Sequence, residues 1–162
     1  SVTATGTLGC EPPVSTVTST IITTVSTIIY VNATAAGLNN GTSWTNAYTD
    51  MQNALATASC GAQIWVSQGI YKPTTGTDRT ISFQLKKGVS MYGGFNGTET
   101  DLFQRNLSLT GASLLSGDIG MVSISADNSY HVVQANDVDE KTLVDGFTIA
   151  FGNASGGGTD QL

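Results

Sequence analysis

The chain has 162 residues, which is long enough for one domain with a buried core. Its charged fraction of 11% is less than half of the usual share of about 25%, so its solubility depends on Ser, Thr, Asn, Gln and Gly, a composition typical of exported proteins. The net charge is −6 and the six Lys and Arg residues are spread along the chain, which argues against nucleic acid and anionic membrane surfaces as partners. The sequence contains no apolar run of about 18 residues, so we expect no membrane span.

Residues 1–29 differ in composition from the rest, and we expect them to form a Ser/Thr-rich, β-prone arm ahead of a domain over residues 30–162. The stretch 14–29 has no charge and no glycine, and its β-branched residues favour an extended strand. Two interpretations stay open: an arm that pairs with a neighbour or packs along the domain, and a linker from a preceding domain. The aliphatic positions that would mediate assembly are Val14, Val17, Ile21, Ile22, Val25, Ile28 and Ile29.

The two cysteines are Cys10 and Cys60. A bridge between them would close a loop of about 50 residues and stabilise the fold by about 4 kcal/mol in the chain-entropy model. The alternative is a pair of unrelated thiols, with Cys60 buried as a small apolar residue. Because Cys10 lies in a polar arm with no core of its own, we predict the bridge.

One amphipathic helix is predicted over residues 45–59. Ser43 or Thr45 can cap its start, and Gly61 follows its end. We expect the helix to cover the first cross-section of the strands behind it, with Met51 and Leu55 as its core contacts. Its apolar stripe, at spacings of three and four, consists of Ala47, Met51, Ala54, Leu55 and Ala58.

Short apolar strands separated by glycine and asparagine turns follow the helix. Such a ladder predicts strands stacked on one another, and it favours a scaffold over an enzyme. We interpret residues 69–73 as a turn, and 93–97 as the tightest turn because of its glycines. The predicted strands are 63–67, 81–85, 89–92, 113–116, 122–125, 130–134 and 143–151.

Most of the chain resembles a known family in the order of its motifs. The matching runs are YVNATAAGLNNGTSWTNAYTDMQNALATA, QIWVSQGIYKP, FQLKKGVSMYGGFNGTETDLFQRN, LLSGDI, YHVV and VDGFTIAFGNASGGG. They resemble the N-terminal part of pectin-lyase-like repeat proteins from the surfaces of Bacteroidetes-type bacteria. The resemblance implies an all-β fold, a short right-handed parallel β-helix with an N-terminal amphipathic cap helix. At about 20 to 25 residues per coil the chain has room for three or four coils, and the family would add further coils after Leu162.

Polysaccharide lyases of that fold need an acidic calcium site with a basic residue beside it. Arg79 and Arg105 are the candidate bases, and we expect both to be solvated or to pair with the nearby acidic residues Asp78, Glu99 and Asp101. Hydrolases of that fold need converging carboxylates. The candidates are Asp118, Asp127 and Asp145, which can either stack on successive coils or serve as ordinary turn residues.

The remaining candidates favour structural roles. We expect the single histidine, His131, to be a strand residue, and 136–140 to be a solvated turn rather than a calcium loop, since the glycine and final glutamate of an EF-hand are missing. The aromatic residues are predicted to pack in the core or at its rim rather than to stack on sugars. They are Trp44, Trp65, Tyr48, Tyr71 and Tyr92. We therefore predict no catalytic residue, no cofactor and no metal.

The predicted function is that of a secreted, non-catalytic, structural or adhesive cell-surface protein, a stalk or a filament subunit. The alternative is the N-terminal fragment of a carbohydrate-active enzyme, a polysaccharide lyase or hydrolase. The predicted partners are other copies or further coils of the same chain, together with surface glycans.

Overall fold

The structure is a computed structural model that describes residues 26–107 and 113–155. Short strands, one α-helix and two 3₁₀ turns make up its regular elements. In chain order they are β1 (Ile28–Val31), α1 (Met51–Thr57), β2 (Gln63–Ser67), β3 (Gly69–Tyr71), β4 (Phe83–Gln84), β5 (Ser90–Phe95), a 3₁₀ turn (Leu102–Gln104), β6 (Ser113–Ser116), a second 3₁₀ turn (Ser125–Asp127), β7 (Val133–Gln134), β8 (Leu143–Asp145) and β9 (Thr148–Ala150).

The strands form three sheets in which all pairs are parallel. Their orders are β1-β2-β5-β8, β3-β6-β9 and β4-β7. From β2 onward, successive strands belong to the first, second and third sheet in turn, and this order repeats. Each strand therefore pairs with the strand three elements later in the strand numbering, as β2 does with β5. Equivalent side chains of successive passes therefore lie in rows across each sheet.

The predicted right-handed parallel β-helix is wrong. The strands pair in parallel, which is compatible with that prediction, but the described residues form three separate short sheets and one helix and do not close into a helix of coils. The reason lies in the strands themselves, because the sheets have four, three and two strands and β4 and β7 are only two residues long. Turns, rather than strands, make up most of the path between the sheets.

The predicted helix is shorter than expected at both ends, since α1 spans Met51–Thr57 rather than 45–59. Asp50 caps it by accepting a hydrogen bond of 2.8 Å from the Gln52 N–H. The preceding residues cannot be helical, because Tyr48 exchanges backbone hydrogen bonds with β1 and Asn39 binds the Thr49 N–H. In the described ranges no helix is long and apolar enough to cross a membrane.

Three predicted strand assignments also need correction. Residues 122–125 form a turn instead of a strand, with Val122 exposed. The supposed turn after Gly69 contains β3, which pairs with β6. The long strand predicted over 143–151 is divided at Gly146, where φ is +77°, into β8 and β9 of two different sheets.

The core lies between the inward faces of the sheets. Its rows include Ile29, Ile64 and Met91 of the four-stranded sheet, which are in register and buried. Met51 and Leu55 of α1 are buried against the same cluster. Of the predicted assembly arm, Ile28 and Ile29 lie in β1, whereas Val14, Val17, Ile21, Ile22 and Val25 lie outside the described residues.

A bulge interrupts β5 where a glycine turn was predicted. Between Trp65 and Ser67 of β2 there is one residue, but between their partners Tyr92 and Phe95 there are two, Gly93 and Gly94. A Cβ at Gly93 would lie 2.4 Å from the Gly146 carbonyl oxygen, so the neighbouring backbone leaves no room for a side chain. The bulge lets β5 continue to Phe95, next to Trp65 of β2.

Candidate functional site: the aromatic face of the four-stranded sheet

A row of aromatic side chains crosses the outer face of the four-stranded sheet. Tyr30, Trp65 and Tyr92 are partners in register on β1, β2 and β5, and Asp145 of β8 continues the row. Successive side chains of a strand point to opposite faces, and the residue preceding each ring points into the core. The same alternation that points the aliphatic residues into the core therefore places these rings on the opposite face of the sheet.

The rings form a cluster with two further aromatic residues. Trp65 stacks on Phe95 with 4.7 Å between ring centroids, and Trp44 contacts Tyr30 at 4.8 Å and Phe95 at 5.3 Å. The indole N–H of Trp44 donates to the Glu99 carbonyl oxygen at 2.7 Å. Trp65 and Phe95 are buried, whereas Tyr30, Trp44 and Tyr92 stay partly exposed.

Arg105 fixes the end of this cluster. Its guanidinium lies 5.0 Å from the centroid of Tyr92, and Nη2 forms an ion pair of 2.8 Å with Oδ2 of Asp145. Nη1 and Nε donate to the carbonyl oxygens of Gly93 at 3.3 Å and Leu102 at 3.1 Å. One cation therefore connects β5, β8 and the 3₁₀ turn that precedes it in the chain.

Glu99 holds the loop after β5 in place. Its carboxylate accepts backbone hydrogen bonds of 2.7 Å from Asn96, 3.0 Å from Gly97 and 2.9 Å from Thr98. Burial acts to raise the pKa of this carboxyl group, but the backbone hydrogen bonds together outweigh it and the pKa lies below its ordinary value. Glu99, which is buried, is therefore an ionised structural group.

The next turn displays one apolar side chain. Asp101 and Gln104 form a capping box around the 3₁₀ turn, in which Oδ1 of Asp101 accepts from the Phe103 N–H at 2.8 Å. Phe103 is 94% exposed although the turn that carries it is fixed. The aromatic face thus offers partly exposed rings and one projecting phenyl group, which suit stacking and apolar contact.

Arg79, the other candidate base, also has a structural role. Its Nε donates to the Asn128 carbonyl oxygen at 2.7 Å and its Nη2 to the Asn153 carbonyl oxygen at 2.9 Å. The guanidinium lies 4.2 Å from the centroid of Tyr130. Neither arginine pairs with the acidic residues expected from the sequence, since Arg105 binds Asp145, and Asp78 binds Thr80, which lowers the pKa of that exposed carboxyl group.

The three candidate hydrolase carboxylates do not form one site. Asp118 and Asp127 lie in the same loop, where they accept hydrogen bonds from the N–H groups of Ser123 at 3.2 Å and Met121 at 2.8 Å. Asp145 lies in β8 with Arg105. Buried oxygen atoms of Asp127, Asn128 and Ser129 have no hydrogen-bond partner among the described residues.

The other candidates lie in separate places. His131 precedes β7, and the 136–140 segment is a turn in which Asp139 accepts from the N–H groups of Gly88 and Lys141. Where the structure describes the chain, no three Asp, Glu, His or Cys side chains come together as a metal-binding group. Cys60 is disulfide-bonded, and since Cys10 lies outside the described residues, the pairing stays a prediction.

The two remaining tyrosines differ in burial. The Tyr71 hydroxyl is buried and donates to the Ser67 carbonyl oxygen at 3.0 Å, and this burial raises its pKa above the ordinary value even though hydrogen bonds with Ser67 and Ala33 act to lower it. The Tyr48 hydroxyl lies at the surface, 3.1 Å from that of Thr57. Neither residue belongs to the aromatic face.

Comparison of the chain with protein-family models, with curated proteins and with solved structures finds no match. The resemblance to pectin-lyase-like surface proteins therefore stays a prediction.

Sequence reasoning missed Tyr30 and Phe95 as members of the aromatic face, and it considered Glu99 only as an ion-pair partner. Tyr30 could have been found from its place between Ile29 and Val31, which alternation turns inward. No local pattern indicates Phe95, because its position depends on the bulge between β2 and β5.

Proposed function

We propose that this chain is a secreted, non-catalytic cell-surface protein with a structural or adhesive function, a rigid spacer or assembly subunit. The observation that carries this proposal is that its Arg and Lys side chains form hydrogen bonds and ion pairs that connect segments distant in sequence. Arg79 donates hydrogen bonds to Asn128 and Asn153, which follow it by 49 and 74 positions in the chain. Arg105 binds Asp145, which follows it by 40 positions. Lys86 Nζ donates to the carbonyl oxygens of Ala56 at 3.1 Å and Ala58 at 2.8 Å, beside the end of α1.

Two further observations support the proposal. The disulfide of Cys60 fits an oxidising compartment, as does a chain with only 11% charged residues. The partly exposed rings of Tyr30, Trp44 and Tyr92 fit adhesion to the apolar faces of surface glycans.

The proposal is tested by measuring turnover and binding together. The chain is incubated with a panel of neutral and acidic polysaccharides, and unsaturated products and new reducing ends are assayed. We expect no product, and retardation of the chain in gels that contain a polysaccharide it binds. Tyr92→Ala should lose that retardation, whereas Tyr48→Ala, a matched change away from the aromatic face, should keep it.

Product formed by the chain and lost in Arg79→Lys or Arg105→Lys would contradict the proposal and support a carbohydrate-active enzyme.

A rigid spacer should also resist mechanical unfolding. In single-molecule stretching we expect one cooperative unfolding event, at a force reduced in the double variant Arg79→Gln, Arg105→Gln.

A further inference from the structure

In each of the three sheets, the side chain that points into the core is more exposed in the last strand than in the strand before it. Phe83, Met91 and Leu115 are 0%, 1% and 0% exposed. Their register partners one strand further on are Val133, Val144 and Ile149, of which the first two are partly exposed and Ile149 is 50% exposed. Side chains at the inward positions are therefore less completely covered in the last strand of each sheet than in the strand before it.

Among the described residues, the same three strands have a side with no neighbouring strand. Within residues 26–107 and 113–155, β7, β8 and β9 each pair with one strand and lie last in their sheets. Val133 and Ile149 line one shallow groove, so the ends of two sheets meet in a single surface. We call the surface formed by Val133, Val144 and Ile149 and the edges of their strands the open end.

At the opposite end of the four-stranded sheet, the edge is covered. The outer edge of β1 is hydrogen-bonded to Gly41 and Tyr48, with distances of 2.8 to 2.9 Å, and α1 packs its Met51 and Leu55 into the adjoining core. An added strand therefore finds backbone groups and apolar side chains together at the open end but not at this covered end. An uncovered edge of this kind is a template for strand addition.

We propose that the open end binds the N-terminal segment 14–25 of a second copy of this chain as an added strand. The segment is uncharged, free of glycine and rich in β-branched residues, so it can supply backbone hydrogen bonds and aliphatic side chains without burying a charge. Those side chains are Val14, Val17, Ile21, Ile22 and Val25.

The position at which the segment joins the domain supports an exchange between copies. Residue 26 follows the segment directly, and its hydroxyl donates to the Gly61 carbonyl oxygen at 2.7 Å, close to the start of β2. The segment therefore enters the domain beside β1, at the covered end. In a head-to-tail arrangement the segment of one copy meets the open end of the next, and such a heterologous contact repeats into a filament. The inference rests on the proposed structural function and names the partner of an assembly subunit.

The test measures self-association of the complete chain by sedimentation velocity over a wide range of concentration. The wild type should form a concentration-dependent series of oligomers. Ile149→Asp at the open end and Ile21→Asp in the segment should each weaken association at least about tenfold, because each buries a charge at the contact. Ile70→Asp, at an exposed position on β3 (62% against 50% for Ile149), should associate like the wild type.

Mixing the two impaired variants tests whether the open end of one copy binds segment 14–25 of another. Ile149→Asp keeps an intact segment and Ile21→Asp keeps an intact open end, so the mixture should form heterodimers that do not grow further. Far-ultraviolet circular dichroism checks that each variant is folded, and Ile149→Thr replaces Ile149→Asp if the latter is not.

Three outcomes would overturn the inference. A wild type that stays monomeric at high concentration means that the segment docks on its own copy or not at all. Association that Ile149→Asp abolishes and Ile21→Asp leaves intact means that two open ends meet each other, and association that neither change affects uses another surface. A monomer that releases no product from polysaccharides defeats this inference alone, whereas product release defeats the proposed function.

Discussion

The two ends of the strand rows are made from the same kinds of residue and differ in what covers them. At the covered end, Ile29 is buried under α1, and the edge of β1 is occupied by Gly41 and Tyr48. At the open end, Ile149 is half exposed and β9 has no second strand neighbour among the described residues. Burial of an aliphatic strand residue therefore depends on whether a further strand or helix packs against it, as well as on the strand that carries it.

The largest expected effect on stability comes from placing a charge at the covered end, and the same kind of change at the open end should have little effect. Met51→Asp should lower the free energy of unfolding by about 3–5 kcal/mol, because Met51 is 1% exposed and the new carboxylate would have no partner. Ile149→Asp should cost about 0.5 kcal/mol or less in dilute solution, since solvent already reaches that side chain. Urea denaturation of both variants measures the difference, and equal losses would show that the two ends are covered alike.

The strand between the ends was the easiest element to predict. For 63–67 the prediction and β2 have the same bounds, because its flanking turns and buried β-branched residues are local signals. β3 was missed, since Gly69 and Pro73 indicate a turn and only its pairing with the distant β6 makes it a strand. Residues 122–125 have high β propensity, but Asp118 and Asp127 bind the N–H groups of Ser123 and Met121 and hold a turn.

The predicted fold class was wrong, and the ion pair at the aromatic face was not predicted, for a related reason. The family resemblance predicted parallel strands, and the strands do pair in parallel, but a resemblance in motif order does not determine how long each strand stays paired. β4 and β7 are only two residues long. Arg105 and Asp145 were both recognised as candidates, but as members of different sites. Their ion pair joins residues 40 positions apart, which no sequence spacing predicts.

The second expected effect concerns the clamp between the last strand of the four-stranded sheet and the strand before it. Arg105→Ala should cost about 2–3 kcal/mol, because it removes charge-assisted hydrogen bonds to two carbonyl oxygens and the contact with Tyr92. Asp145→Asn should cost less than about 1 kcal/mol, since the Asp145 side chain is 42% exposed and its ion pair is screened. Thermal unfolding of the two variants gives the order, and a larger loss for Asp145→Asn would assign the clamp to the ion pair instead.

The third expected effect is a pH dependence of stability from the loop after β5, whose Glu99 carbonyl oxygen accepts from the Trp44 indole. The pKa of Glu99 is lower in the folded protein than in the unfolded chain, so on acidification the unfolded chain takes up the proton first. The stabilisation is therefore complete above the ordinary glutamate pKa of about 4.3 and is lost as the pH falls through the folded value. Glu99→Gln should lose about 1 kcal/mol at neutral pH and show a flatter decline in melting temperature below about pH 4.3.

Glu140→Gln is the matched control for this pH profile, because Glu140 is an exposed glutamate in a turn. It should follow the wild-type curve of melting temperature against pH. If Glu99→Gln also follows that curve, the backbone hydrogen bonds of Asn96, Gly97 and Thr98 do not stabilise the ionised form.

The smallest expected effect separates apolar exposure in general from the open end in particular. Phe103 is 94% exposed, more than Ile149, but it projects from a capped 3₁₀ turn and belongs to no inward row. Phe103→Ser should therefore change the free energy of unfolding by no more than about 0.5 kcal/mol, since the side chain gives up almost no buried area. It should also leave self-association unchanged, because the surface proposed to bind a second copy is defined by the free edges of β7, β8 and β9 and their partly exposed inward side chains, not by exposed apolar area in general. Sedimentation velocity of Phe103→Ser beside Ile149→Asp checks this. A loss of association in Phe103→Ser that Ile149→Asp does not share would move the contact from the open end to the aromatic face.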